Sequence, residues 1–329
     1  MEAAPGPIAL EVTAGDAGER LDRWLAGRLG VPRNQVQGWI RAGSVLVNAR
    51  SARPSQTLSA GDRVTGELPA PAADPRVTPE SGELVVLYED DWLVALDKPA
   101  GIAVHPGAGR ATGTLVHRLL ARYPEMAGVG GPGRPGIVHR LDLGTSGVLV
   151  LARRAEAYHR LVADFAARRV AKQYLAIVYG SPREPRGRIE AAIGRHPTRR
   201  KEMTQRPDGR PATTGYQLVA SARGTSLLVV DLFTGRTHQI RVHLKALGHP
   251  LVGDPVYGEA RWKGAERVAQ GVLRDFTRPA LHAWRLRLAH PQDGRPLELV
   301  APPPPDLAAL WARLSGGEMD SALAGLAWT

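Results

Sequence analysis

Apolar residues near the start of the chain recur at helical spacing. Leu21, Trp24, Leu25 and Leu29 lie three or four residues apart and stop before Gly30, so they predict a short helix that ends at this glycine. The same spacing predicts a second helix that ends near residue 43, with these apolar positions: Val36, Trp39 and Ile40.

Further along, short apolar runs bounded by turn residues predict strands. The runs are 45–48, 62–67, 84–88, 92–96, 148–152, 173–178 and 226–232. Helical patterns are few in the second part of the chain, at 158–167 and 306–314. Because strands and helices do not alternate regularly there, the pattern favours an α+β fold over a doubly wound one.

A Pro-rich polar segment at 69–82 divides the chain and is typical of a linker. We therefore expect a flexible N-terminus (1–18), a small domain (19–68), the linker (69–82), a large domain (83–300) and a C-terminal tail (301–329).

The chain is basic, with 43 Lys and Arg against 32 Asp and Glu, and its net charge is +11. Arginine predominates, and its planar fork suits phosphate and bases, so we expect a nucleic-acid partner. The base composition of a GC-rich genome could explain the preference for Arg over Lys, but not the net charge.

There is no cysteine, which excludes disulfides and thiolate chemistry. The first ten residues lack a positively charged start, and no apolar run approaches membrane-spanning length. We expect a cytoplasmic protein that has no membrane contact.

The candidate for chemistry is Asp142, which lies two positions after Arg140 and directly before the apolar run 148–152. It could close a turn with its own backbone, or it could be a reacting carboxylate. A neighbouring guanidinium would favour the ionised carboxylate, as nucleophile or base. The candidate partners are Arg241, Arg236 and Arg140, and each could instead bind phosphate.

Other kinds of site find little support. No glycine-rich nucleotide-binding or phosphate-loop pattern occurs. His238 and His243 are five residues apart, a poor spacing for a metal site, and Ser146 lies in no nucleophile elbow. We expect neither cofactor nor metal. Tyr174 lies in an alternating strand pattern and could pack in the core or support a flipped base.

Residues 19–68 resemble the RNA-binding domain named for small-subunit ribosomal protein four. The matching segments are 20–25, 33–48 and 60–64. The resemblance implies a small α/β RNA-binding domain, and Arg33 and Arg41 are its candidate RNA ligands.

Residues 83–300 resemble the RluA family of pseudouridine synthases. The matching segments, in the family's order, are 98–99, 105–109, 138–142, 145–147, Tyr174 and 235–243. Segments 195–200, 248–258 and 280–283 are closest to the RluD-type branch, which modifies large-subunit ribosomal RNA. Leu143-Gly144 departs from that branch, where a charged pair is more usual, and this departure bears on substrate preference.

The resemblance implies a mixed, mainly antiparallel sheet with a central cleft, and catalysis by Asp142 without cofactor or metal. Asp142 would attack the ribose or remove a proton from it, Arg241 would pair with Asp142, and Tyr174 would stack on the uracil. Arg140 would fill the gap left by base flipping. The remaining pocket or RNA-binding candidates in this domain are Leu141, Ile240, His139 and Arg236. The implied substrate is a uridine in 23S ribosomal RNA, in the helix 69 region, as free RNA or in a pre-50S particle, and we expect a monomer.

Two other functions remain open. A catalytically silent RNA-binding or ribosome-assembly protein could keep the same fold. A nucleoside hydrolase would usually need a second carboxylate, for which only Asp97 and Asp254 are candidates, and both lie beside proline turns.

Overall fold

The computed structural model describes residues 6–29, 33–68, 77–107, 110–130, 133–199, 202–258 and 260–328. The chain divides into two compact units, Met1–Arg76 and Val77–Thr329. No helix among the described residues is both long and apolar enough to cross a lipid bilayer.

The N-terminal unit is a four-stranded antiparallel sheet, in the order β1-β4-β2-β3, with two helices. The apolar faces predicted from the sequence form its core, in which Leu21, Leu25, Val36 and Ile40 are buried. Its elements are β1 (Gly6–Glu11), α1 (Leu21–Leu29), α2 (Arg33–Arg41), β2 (Val45–Val47), β3 (Arg50–Ser51) and β4 (Arg63–Leu68).

The expectation of a flexible segment at 1–18 is wrong for the described part of it. β1 pairs with β4 along its whole length, and Ile8 and Leu10 pack against the core. The alternation of Ile8, Leu10 and Val12 is the pattern of a strand with one buried face. Residues 1–5 lie outside the described residues.

The C-terminal unit is built on a nine-stranded sheet, in the order β5-β6-β7-β14-β8-β13-β12-β9, with β15 also paired to β14. Among the described strands of this unit, only β7 and β14 run parallel, which confirms a mixed, mainly antiparallel α+β fold. Its nine strands are β5 (Val85–Glu89), β6 (Leu93–Lys98), β7 (Ser146–Ala152), β8 (Ala171–Tyr179), β9 (Arg186–Glu190), β12 (Thr213–Ala222), β13 (Thr225–Leu232), β14 (Leu281–Ala289) and β15 (Pro296–Val300). A separate two-stranded antiparallel sheet consists of β10 (Ile193–Arg195) and β11 (Met203–Gln205).

Helices supply the side chains that pack against this sheet. The helices are α3 (Leu115–Arg122), α4 (Ala155–Ala166), α5 (Gln239–Ala246), α6 (Arg267–Asp275), α7 (Pro305–Ser315) and α8 (Met319–Leu323). α3 and α5 share one apolar cluster with the central strands, whereas α6, α7 and α8 contribute to another.

The expected C-terminal tail, 301–329, contains α7 and packs against the C-terminal unit, because Leu307, Leu310 and Trp311 are buried in its core. Part of the expected linker also belongs to the C-terminal unit: the amide of Glu80 donates to the carbonyl of His117. Residues 69–76 of that linker lie outside the described residues.

One close approach within the sheet positions the loop before β7. Gly147 has φ 111°, and a Cβ there would lie 2.2 Å from the carbonyl oxygen of Ala283 on β14. Only glycine fits this contact without moving the backbone. The parallel pairing of Ser146 and Gly147 with β14 thus holds the loop that carries Asp142 against the sheet.

Candidate active site

Asp142 lies in a small cleft of about 110 Å³ formed by three parts of the fold. The loop before β7 supplies Asp142, β8 supplies Tyr174, and the start of α5 with the loop before it supplies the opposite wall. The lining residues are Arg140, Leu141, Asp142, Thr145, Tyr174, Leu232, Gly235, Arg236, Thr237, His238, Gln239, Ile240, Arg241 and Leu281.

A single guanidinium joins two carboxylates at the base of this cleft. Arg241 donates from Nε and Nη2 to the two oxygens of Asp254, at 2.6 and 2.8 Å, and from Nη1 to Asp142 at 3.2 Å. The Asp254 side chain is fully buried, whereas that of Asp142 is 21% exposed. Asp254 therefore anchors the guanidinium, and Asp142 is the carboxylate that a ligand can reach.

The chemistry of Asp254 fits an anchoring role. Burial alone would raise the pKa of Asp254, but hydrogen bonds from Arg241 and from the amides of Val256 and Tyr257 lower it below its ordinary value. The two-point contact fixes the plane of the guanidinium. The third contact of Arg241 then sets the position of Asp142.

His238 is a second neighbour of Asp142, with its Nε2 3.9 Å from a carboxylate oxygen. It precedes α5 in a left-handed conformation, φ 55°, which a histidine adopts only at a cost in energy. Burial lowers the pKa of His238, although the charge of Asp142 opposes this shift. The imidazole is therefore neutral near pH 7.

The neighbours of His238 determine which of its nitrogens carries the proton. The hydroxyl of Tyr257 accepts from the amide of Met203 at 2.8 Å and lies 2.9 Å from Nδ1 of His238. A hydroxyl that already accepts from an amide can donate its own hydrogen to Nδ1. We assign the proton of the imidazole to Nε2, which makes it a donor directed toward Asp142.

Tyr174 also lines the cleft, and its side chain is buried, with 7% of the residue exposed. Burial raises the pKa of its hydroxyl, and the charge of Asp142 raises it further. The hydroxyl is therefore protonated near pH 7 and can donate but not act as a base. Leu141 and Ile240 are also buried and contribute apolar surface to the walls of the cleft.

Thr145 is a buried polar residue of the cleft. Its Oγ1 is buried and, among the described residues, has no hydrogen-bond partner. It lies on the cleft three residues after Asp142, whose carbonyl accepts from the Thr145 amide at 3.1 Å. A ligand oxygen or nitrogen could satisfy this hydroxyl.

The structure brings seven of the ten candidate site residues together in the cleft and places three elsewhere. The seven are Asp142, Tyr174, Arg241, Arg140, Leu141, Ile240 and Arg236. His139 does not line the cleft: its Nε2 accepts from the amide of Val150 at 2.9 Å, and its ring stacks on Phe165. Arg33 and Arg41 belong to the N-terminal unit, and Asp97 lines a different cavity.

Three neighbours of Asp142 and Arg241 were missed as site residues, namely His238, Tyr257 and Asp254. His238 lies in the motif 235–243, but its spacing from His243 was judged only as a metal pattern. Asp254 and Tyr257 lie in a loop far along the chain from Asp142, and no local pattern connects the two segments. Among the described residues, no group of three His, Asp or Glu side chains is placed as metal ligands would be.

Comparisons with known proteins agree with this geometry. A profile of the RNA pseudouridylate synthase family matches residues 92–246, and a profile of the S4 domain matches residues 19–64. A protein of Xanthomonas campestris named ribosomal large subunit pseudouridine synthase D is 44% identical over 91% of this chain and 89% of its own length. An uncharacterized RNA pseudouridine synthase of Chloroflexus aurantiacus is 48% identical over 90% of both chains.

A solved structure is also similar. Human RNA pseudouridylate synthase domain containing 1 aligns with 70% of this chain and 90% of its own, with 31% identity and a TM-score of 0.55. The fold, the ordered motifs and these relatives lead to one conclusion. This chain belongs to the RNA pseudouridine synthase family and carries an N-terminal S4 domain.

Proposed function

We propose that this protein isomerises uridine to pseudouridine in 23S ribosomal RNA, in the helix 69 stem-loop, with Asp142 as the reacting group. The observation that carries the proposal is the ligand-accessible Asp142, held by Arg241 in a small cleft opposite Tyr174. Such a cleft suits one flipped nucleotide rather than a duplex.

The reaction rearranges one nucleotide without adding or removing atoms. The bond from ribose C1′ to uracil N1 breaks, the uracil turns while it is held, and C1′ bonds to C5. C5 then loses its proton, and N1 carries one in the product. Asp142 starts this sequence either by attack on C1′ or by removal of a proton from the ribose.

The other residues of the cleft hold the reacting groups. Arg241 orients the Asp142 carboxylate, and the Nε2 proton of His238 can donate to a ligand oxygen beside it. The buried ring of Tyr174 offers a face on which the uracil stacks. The apolar walls exclude water, which could otherwise hydrolyse the cleaved intermediate.

Substitutions of Tyr174 separate its ring from its hydroxyl. If stacking is its main role, Tyr174→Phe lowers kcat less than about tenfold, whereas Tyr174→Leu lowers it about a hundredfold, because a stacked base contributes about 1–3 kcal/mol. Single-turnover pseudouridine formation measures both variants. Equal losses in the two variants would assign the main role to the hydroxyl.

Ribosomal RNA as the substrate class is supported by three observations. The Xanthomonas campestris relative is named for the large ribosomal subunit, the chain contains an S4 domain, and its net charge is +11.

In the N-terminal unit, the buried Asp22 accepts from Arg33 at 2.9 Å and from Gln37 at 2.6 Å. Gln37 in turn accepts from Arg41 at 3.3 Å. This network orients arginines along α2, and we propose that they contact RNA phosphates.

Arg41 is the simpler of the two α2 arginines to test, because it has no ion pair among the described residues. Arg41→Gln is expected to weaken RNA binding about three- to tenfold and to lower the salt-dependence slope by about 1, as loss of one phosphate contact does. Equilibrium binding at several salt concentrations measures both quantities. Arg313→Gln, on the exposed side of α7, is the control, and equal effects of the two variants would contradict the role of Arg41.

The proposed target is tested with ribosomal RNA from cells that lack this gene. The purified protein is incubated with free 23S RNA, with 16S RNA and with pre-50S particles, and pseudouridines are mapped by position. New pseudouridine in helix 69 is expected. Modification at other 23S positions only would overturn the helix 69 assignment, and comparison of free RNA with the particle identifies the better substrate.

A further inference from the structure

A second cavity adjoins the cleft beside Tyr174. This lateral cavity has a volume of about 390 Å³ and shares five lining residues with the cleft, namely Arg140, Tyr174, Leu232, Gly235 and Arg236. It is bordered by α4, the end of β13 and the start of β8. Its remaining lining residues are Val138, His139, Val162, Phe165, Ala166, Arg168, Lys172, Phe233 and Thr234.

The lateral cavity and the cleft follow one face of the same strand. Lys172 and Tyr174 are two residues apart on β8, so their side chains lie on the same side of the sheet, roughly 7 Å apart along the strand. A ligand that occupies the cleft against Tyr174 can therefore extend directly to Lys172.

The charged side chains that line the lateral cavity are all positive. Four cations line it, Arg140, Arg168, Lys172 and Arg236, and none of its lining residues is Asp or Glu. Lys172 has no carboxylate partner among the described residues, and burial lowers its pKa to about 8. Burial, followed by the charges of Arg210 and Arg168, also lowers the pKa of Arg236. Placing these four cations together without a carboxylate is electrostatically unfavourable unless an anion binds between them.

A flat apolar surface lies beside these cations. The rings of His139 and Phe165 stack with centroids 4.6 Å apart, and Lys172 Nζ lies 5.7 Å from the Phe165 ring centroid. Burial, together with the charge of Lys172, lowers the pKa of His139 to about 3, so this ring is neutral. The cavity thus combines an anion site with a surface suited to a base.

We propose that the lateral cavity binds the nucleotide next to the target uridine in the same RNA strand. Lys172 and Arg168 bind the phosphodiester, and the base packs against Phe165. This inference rests on the proposed function, because it takes the target uridine to occupy the cleft. It also gives His139 a defined role, that of supporting Phe165 rather than contacting the target uridine.

Lys172→Gln tests the phosphate contact, because it removes the charge and retains most of the side chain. The variant is expected to raise KM and the RNA dissociation constant about tenfold, to lower kcat less than about threefold, and to reduce the salt-dependence slope by about 1. Lys263→Gln, an exposed lysine outside both cavities, is the control. Because Lys172 has no ion pair to lose, thermal unfolding of the variant should match that of the wild type.

A second measurement uses an RNA in which one phosphodiester beside the target uridine is replaced by a neutral methylphosphonate. For wild type, one such replacement is expected to weaken binding at least as much as Lys172→Gln, because it also removes the contact with Arg168. The two changes together should weaken binding no more than the replacement alone. Fully additive losses, or an unchanged dissociation constant in the variant, would overturn the subsite. These readouts need no turnover, so they remain distinct from a failure of wild type to form pseudouridine, which would overturn the proposed function instead.

Discussion

Asp142→Asn is expected to lower the rate of pseudouridine formation by at least about a thousandfold, because an amide can neither attack the ribose nor remove its proton. The fold should survive the change. Asp142 is partly exposed, and Arg241 keeps its two-point contact with Asp254 when Asp142 becomes neutral. Single-turnover assays with mapped pseudouridine as product measure the loss.

Asp97→Asn is the matched control for this prediction. Asp97 is a half-buried carboxyl of the same unit, burial raises its pKa, and it lines a cavity that does not contain Asp142. Its variant should keep activity within about threefold, as a substitution that touches no reacting group would. An Asp142→Asn enzyme that turns over at the wild-type rate, with RNA binding intact, would refute the assignment.

Arg241 is expected to matter for both stability and turnover. Arg241→Ala leaves the fully buried Asp254 without its cation, and breaking such a pair costs about 3–5 kcal/mol of the free energy of unfolding. Arg241→Lys keeps the charge but cannot make the planar two-point contact, so Asp142 loses its orientation. For Arg241→Lys we expect kcat to fall about a hundredfold and RNA affinity to change less than about threefold.

Arg236→Lys is the contrasting variant, since Arg236 lies on the same cleft and has no carboxylate partner among the described residues. It should weaken RNA binding more than turnover. If Arg241→Lys instead weakens binding and leaves turnover unchanged, Arg241 is a phosphate contact rather than the residue that orients Asp142. Urea unfolding of all three variants separates loss of structure from loss of chemistry.

Much of the fold is predictable from the sequence because it depends on local patterns. The apolar spacing of α1 and α2 and the continuous apolar run of β7 correspond to buried faces in the structure. The sequence predictions fail mainly at the two ends of the chain, where segments expected to be a flexible N-terminus and a tail contain β1 and α7. The alternation of Ile8 and Leu10 in β1 is that of a strand, but it does not show that β4, more than fifty residues later, is its partner. The Ala-rich pattern of α7 predicts a helix but does not show what covers it.

The site was predictable where its residues lie in one motif and not where contacts cross the chain. The motif around Asp142 and the motif around Arg241 are separate in sequence, and their side chains meet through Arg241 Nη1. Asp254 lies beside a proline turn and anchors Arg241, but this partner cannot be read from the turn. The proton of His238 is assigned only once Tyr257 and Met203 are seen to lie beside it.

The nucleoside composition of RNA after reaction with the purified protein distinguishes an isomerase from a hydrolase and from a silent RNA-binding protein. Each uridine lost should appear as one pseudouridine, with no free uracil, and Asp142→Asn should show no change. Release of free uracil in place of pseudouridine would identify a hydrolase. Unchanged uridine, with RNA bound at wild-type affinity, would identify a catalytically silent RNA-binding protein.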